Sequence, residues 1–249
     1  MSKFRTSPTQ LSPTSYGVFE ADPAMEEDVR NDLVIYRDYY RPIEIDKNIP
    51  DEKKIPLMIE WWTKSQNRLI STKITKKSLI KTVQITPLQL RDRVLELIYR
   101  TNYLNIPMLI FSAGQGDIID LVLKKNCASL ENTRIIANTI NFGSNGVIES
   151  FSKPLIHVYN KTIKSILDID VKYYSKVLEP RDATILLGDS AGDVNMAEDD
   201  DNSVVLRIGF LNNGHRDELE PLYDILLVED ETFGVIIDIF NYITGQRTA

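Results

Sequence analysis

Leu186-Leu187-Gly188-Asp189-Ser190-Ala191-Gly192-Asp193 carries the clearest chemical signal in the chain. An apolar run from Ala183 to Leu187, bounded by turn residues, reads as a buried strand. Two carboxylates four positions apart then follow at its C-terminal end, where open α/β sheets hold their ligands. Asp189 and Asp193 supply hard oxygen donors suited to Mg²⁺, and the small residues between them let backbone approach a ligand. A solvated acidic turn is the plainer alternative.

Ser112-Ala113-Gly114-Gln115-Gly116-Asp117 follows a second apolar run, Met108 to Phe111, and opens a helical pattern. A hydroxyl at a strand tip beside a helix N-terminus makes a phosphate cradle, although an ordinary N-cap would look the same. Lys161, in His157-Val158-Tyr159-Asn160-Lys161, reads alone as a surface charge. Beside Ser112 and Asp189 it becomes a point-charge clamp for a phosphoryl group. His157 and His215 have no third partner at ligand spacing, so neither a zinc site nor a histidine triad is expected. Glu198-Asp199-Asp200-Asp201 reads as a solvated acidic loop.

Elements must hold these groups in place. From Ile106 onward, strand-like runs alternate with helical patterns: strands at 108–111, 134–137, 184–187, 204–208 and 225–228, and helices at 116–125, 160–167 and 232–244. Gly143, Gly146 and the alternating stretch 147–156 suggest a hairpin excursion. This alternation predicts a mostly parallel sheet with helices on both faces. Met1 to Pro23 is rich in Ser, Thr and Pro and reads as loop. Segments 26–40, 51–69 and 78–83 look helical, separated by prolines at 42, 50, 56 and 87.

Composition narrows the function classes. The 249 residues are 43% hydrophobic and 26% charged, ordinary for a globular protein, and a net charge of −7 argues against a nucleic-acid polymer as partner. Cys127 is the single cysteine, so a reducing compartment is the natural reading and a thiol nucleophile is not expected. No apolar run reaches membrane-spanning length, and no signal-peptide core opens the chain. The expectation is a cytoplasmic monomer.

Strand–Ser, a lone Lys and strand–Gly-Asp-x-x-Gly-Asp, in that order, resemble motifs II, III and IV of the haloacid dehalogenase (HAD) superfamily of phosphohydrolases. Ile110 to Asp117, Leu155 to Lys161, Leu186 to Asp193, Ile208-Gly209-Phe210-Leu211-Asn212 and Ile59-Glu60-Trp61-Trp62-Thr63-Lys64-Ser65 are together similar to the cytosolic type III 5′-nucleotidases, which act on pyrimidine or 7-methylguanosine monophosphates. The resemblance implies an α/β HAD-like core (85–249), a helical cap that holds the base (21–84) and a preceding loop segment (1–20). It implies Mg²⁺-dependent hydrolysis of a nucleoside 5′-monophosphate, with Ser112, Ala113 and Lys161 on phosphate and Asp189 and Asp193 on the metal. Glu44 and Ser65 fall where family members contact the nucleobase. One of Trp61 and Trp62 is a core residue, since neighbours on a helix face different ways. The other can stack on a base, and a Trp face near a carboxylate suits the cationic 7-methylguanine ring. A phosphosugar substrate is disfavoured by Glu44 and the Trp pair.

One departure stands out. HAD phosphatases begin with a strand ending in Asp-x-Asp, the first Asp attacking phosphorus and the second acting as general acid/base. No apolar strand followed by Asp-x-Asp lies upstream of Ser112, and Met1-Ser2-Lys3-Phe4 resembles the family residues immediately after that motif. The expectation is a sheet lacking its first core strand and a chain, as written, without turnover. It reads as an incomplete form of an active enzyme; the alternative is a catalytically dead nucleotide- or partner-binding paralogue.

Overall fold

The computed structural model describes residues 5–7, 10–197, 203–212 and 216–246; the acidic stretch 198–201 and His215 lie outside the described residues. Two short strands, β1 (Arg5–Ser7) and β2 (Gln10–Leu11), pair antiparallel. Residues 15–20, expected as loop, form α1 (Ser15–Glu20). The Thr14 hydroxyl accepts from the Gly17 N–H at 3.1 Å, a cap hidden in a Ser/Thr/Pro-rich stretch.

Two long helices come next, α2 (Glu27–Ile45) and α3 (Asp51–Ile70), packed on one another. Pro42 and Pro56, expected as breaks, lie inside them. An internal proline costs about 3 kcal/mol, so tertiary packing of the pair must offset that cost. Then α4 (Lys76–Ile85) is started by reciprocal hydrogen bonds between Thr75 and Ser78. The helix α5 (Val94–Tyr103) is absent from the elements expected of the sequence. It buries Val94, Leu97 and Ile98 at helical spacing.

The α/β core begins with β3 (Met108–Gln115) and α6 (Gly116–Lys125), then β4 (Thr133–Asn138). Within the expected cap, α2 and α3 stand together, while α4 packs on α6 of the core. A hairpin of β5 (Ile140–Phe142) and β6 (Ile148–Phe151) is the predicted excursion. The next helix starts later than expected, as α7 (Ile163–Tyr173), because the Thr162 hydroxyl caps it by accepting from Ser165 N–H. The remaining elements are β7 (Ala183–Gly188), β8 (Val204–Leu211), a short α8 (Arg216–Leu219), β9 (Ile225–Val228) and α9 (Gly234–Thr244).

All core strands run parallel, but in two separate ladders: β3 with β4, and β7 with β8 and β9. Met108 and Ile110 pack into one apolar cluster with α5 and α9, whereas Leu109 and Phe111 pack towards Ile166 of α7. Helices therefore cover both faces, as period-2 side chains on β3 require. Among the described residues, β3 and β7 share no ladder, and residues 108–114 and 183–189 line the same cavity. Apolar packing around α5, α6 and α9 ties the two ladders together in place of backbone hydrogen bonds. No helix among the described residues is long and apolar enough to cross a membrane.

Candidate active site

A cavity of about 2100 Å³ opens at the C-terminal ends of β3 and β7. It is lined by every residue singled out from sequence: Glu44, Trp61, Trp62 and Ser65 from the helical pair, and Ser112, Ala113, Lys161, Asp189 and Asp193 from the core. Pockets for small ligands run to about 1,000 Å³, so this one exceeds what a mononucleotide needs. Its lining continues beyond those residues along β3 and β7 to side chains of α5, α6 and α9.

The turn after β7 is built around Asp193. Its Oδ2 accepts from the backbone N–H groups of Asp189 (2.9 Å) and Ser190 (3.2 Å), and its Oδ1 pairs with Lys161 Nζ. Both partners are buried, at 5% exposure for Asp193 and 8% for Lys161. Burial raises the Asp193 carboxyl's pKa, yet the Lys161 charge and these hydrogen bonds hold it below the usual range. The turn leaves no room for side chains. A Cβ on Gly188 would lie 2.4 Å from the Tyr223 hydroxyl and 2.6 Å from Asp193 Cβ, and one on Gly192 would lie 2.8 Å from the Val158 carbonyl. Close approach to Val158 brings the Lys161 loop against the Asp193 turn.

Asp189 faces the cavity and reaches solvent there. The dense protein around it, and then the charge of Asp193, push its carboxyl above the ordinary range. Its Oδ2 accepts from Asn212 Nδ2 at 2.6 Å. With Lys161 drawn to Asp193, no cationic side chain pairs with Asp189 in the hydrogen bonds of the described residues. No group of three or more His, Cys, Asp or Glu side chains forms a metal cage among the described residues. A single cavity-facing carboxylate is a fitting donor for Mg²⁺ that completes its shell with water and phosphate oxygens. Asp193, by contrast, has both oxygens engaged. It works as the partner of Lys161 and the organiser of the turn.

Ser112 sits near the end of β3, its Oγ accepting from the Gly114 N–H at 3.1 Å. Asn138 holds this strand end by donating to the Ala113 and Ile156 carbonyls at 2.8 Å each.

In the helical pair, Trp61 is 7% exposed and packs with Tyr40 and Met58, its ring parallel to that of Tyr40. Trp61 is therefore the core member. Trp62 is partly exposed and stacks on Tyr16, with ring centroids 5.1 Å apart and planes 17° apart. Trp62 Nε1 is buried without a partner. Gln115 Nε2 holds the Tyr16 hydroxyl at 2.8 Å. The Glu44 carboxylate pairs with Arg41, and its backbone carbonyl accepts from Tyr159 Oη (2.9 Å) and the buried Lys54 Nζ (3.2 Å). Ser65 is buried at 2% exposure.

Tyr16, Lys54, Tyr159 and Asn212 join the site without a role assigned from sequence. Asn212 stands inside a family-like segment, Ile208 to Asn212. Tyr159 likewise lies inside the family-like segment Leu155 to Lys161, whereas Tyr16 and Lys54 carry no local signal, because their partners are distant in the chain.

Comparison with known proteins gives a consistent picture. The family model described as pyrimidine 5′-nucleotidase (UMPH-1) matches residues 1–244. The 7-methylguanosine phosphate-specific 5′-nucleotidase of Gallus gallus is 38% identical over 236 residues, covering 93% of this chain and 80% of that protein. A crystal structure of cytosolic 5′-nucleotidase IIIB bound to cytidine superposes with a TM-score of 0.84 at 32% identity, covering 98% of this chain and 82% of that one. A probable phosphoserine phosphatase from Vibrio cholerae, at 15% identity, TM-score 0.54 and coverage of 86% and 56%, shares the fold alone. The α/β core is HAD-like.

Proposed function

This chain belongs to the pyrimidine 5′-nucleotidase (UMPH-1) family, and from that premise we propose that its cavity binds a nucleoside 5′-monophosphate together with Mg²⁺. The observation that carries the proposal is the convergence of the phosphate-type residues Ser112 and Lys161, the carboxylate Asp189 and the aromatic Trp62 on one cavity. Lys161 supplies positive charge, fixed by Asp193, and Ser112 supplies a hydroxyl at the strand tip. Asp189 holds Mg²⁺, which offsets phosphate charge when bound. Trp62 and Tyr16 form the aromatic wall for the base, with Glu44 and Ser65 at its edge.

The family reaction is hydrolysis to nucleoside and phosphate. Covalent attack and leaving-group protonation need two further carboxylates in a HAD-type site. None joins Asp189 and Asp193 as a cluster among the described residues. On this reading the 249 residues bind nucleotide, and phosphate release is not expected of them. The relatives' names point to 7-methylguanosine monophosphate, and the cytidine complex to pyrimidines. A delocalised cation against an indole face favours the former by about 0.5–2 kcal/mol. A cytoplasmic location fits the cytosolic names of relatives.

Calorimetry with 7-methylguanosine monophosphate and CMP, each with Mg²⁺, tests the reading, alongside a phosphate-release assay. Binding without release is expected. Trp62→Ala should weaken the methylated nucleotide about tenfold relative to CMP. Trp61→Ala should chiefly lower stability. Phosphate release that vanishes in Asp189→Asn would show that these residues do contain a nucleophile.

A further inference from the structure

Three residues from three parts of the chain, Asp189 among them, are joined by hydrogen bonds. Arg91 precedes α5, Asn212 follows β8 and Asp189 follows β7. Arg91 Nη2 donates to Asn212 Oδ1 at 2.6 Å, and Asn212 Nδ2 donates to Asp189 Oδ2 at 2.6 Å. Arg91 is only 4% exposed, and its guanidinium lies 4.1 Å from the Phe210 ring centre. Burying a guanidinium is costly, and its Nη1 has no partner. Packing alone gives no reason to keep a charge here.

The chemistry of the relay permits one orientation of the Asn212 amide. Turned over, its NH₂ would meet the guanidinium donor and its oxygen would meet the carboxylate. Both contacts would then be repulsive. Asparagine amides are assigned by such networks, and here both ends agree.

We propose that Arg91 is a positioning residue for the Mg²⁺ site: it locks the Asn212 amide so that Nδ2 holds one Asp189 oxygen and leaves the other for the cation. This role rests on the reading of Asp189 as the Mg²⁺ ligand. Partners one step removed from a ligand typically change metal affinity 10–100-fold when lost. A guanidinium also stacks on Phe210 while donating in plane, which an ammonium cannot match. If Arg91 served only to tie the segment before α5 to β8, its loss would lower stability and leave the cation site unaltered.

The test uses Mn²⁺ as the probe, titrated by electron paramagnetic resonance into the 249-residue chain. Wild type, Arg91→Met, Asn212→Leu, the double variant and Asp189→Asn are compared. Arg91→Met and Asn212→Leu should each weaken Mn²⁺ about tenfold, and the double variant should be no weaker than Asn212→Leu. Arg91→Lys should recover part of the loss, and it keeps the test decisive if Arg91→Met does not fold. A second readout needs no metal: the side-chain amide resonances of Asn212 should shift in Arg91→Met and in Asp189→Asn. Additive losses, or an Arg91→Met chain with Mn²⁺ affinity within twofold of wild type and unmoved amide resonances, overturn the proposal. Unchanged Mn²⁺ binding in Asp189→Asn overturns the ligand reading instead, and the amide resonances still decide whether Arg91 orients Asn212.

Discussion

Lys161→Met is the most informative single change, because it separates the stability of the site from its chemistry. In the native chain Lys161 and Asp193 are a buried ion pair, 8% and 5% exposed. Methionine fills much of the lysine stem's volume but leaves the Asp193 charge without its counter-ion. Removing one partner of a buried pair costs about 3–5 kcal/mol. Asp193 keeps two backbone N–H donors, at 2.9 and 3.2 Å, which places the loss near the lower end, ~3 kcal/mol. For a chain of this size that corresponds to a fall in Tm of about 6–12 °C. The double variant Lys161→Met/Asp193→Asn removes both charges and keeps an oxygen for the two N–H groups. It should recover all but ~1 kcal/mol of the loss, as buried pairs replaced by neutral groups often do. Urea denaturation followed by circular dichroism measures both, and calorimetry with a mononucleotide follows function. Binding should be lost in the single variant and remain lost in the restored double variant. If single and double variants are equally unstable, or if Lys161→Met costs under ~1 kcal/mol, the counter-ion reasoning is wrong.

Two other outcomes are expected. Gly188→Ala should destabilise by about 1–3 kcal/mol, because its Cβ meets the Tyr223 hydroxyl at 2.4 Å and Asp193 Cβ at 2.6 Å; an unchanged urea midpoint would contradict this. His157 is buried, which lowers its pKa, and its Nδ1 accepts the Tyr159 N–H at 3.3 Å. Its contribution is therefore present above the unfolded value, about 6.5, and is lost as pH falls below it. Stability should drop between about pH 7 and 5, and His157→Gln should flatten that slope; equal slopes in both proteins would sink the assignment.

Much of the site is legible in the sequence because its signals are local. An apolar run followed by Ser112, or by Gly188 and Asp189, marks a strand tip from local sequence alone, and its neighbours in the fold decide between a ligand site and an ordinary cap or turn. Lys161 gains meaning only through order along the chain. Other features need the third dimension. Helical spacing leads one to expect Trp61 and Trp62 to diverge, yet their ring centroids lie 4.6 Å apart, and it is Tyr40 and Met58 that bury Trp61. The helix α5 carries an apolar period yet lacks a readable start, since Arg93 enters it at φ 65° without a side-chain cap. Pro42 and Pro56 read as breaks because a local rule cannot weigh the packing of α2 on α3. The contact of Arg91 with Asn212 spans 121 positions, and no periodicity announces it.

The separation of the two ladders has a consequence for amide hydrogen exchange. In a continuous parallel sheet the middle strands are the last to exchange, because both neighbours protect them. Here β3 and β7 each have a neighbour on one side only among the described residues. Alternate amides along each should therefore trade hydrogen for deuterium quickly, while their ladder-facing neighbours stay protected. The exchange map of this protein would carry a fast stripe down the interior of the fold, with slower backbone on either side of it.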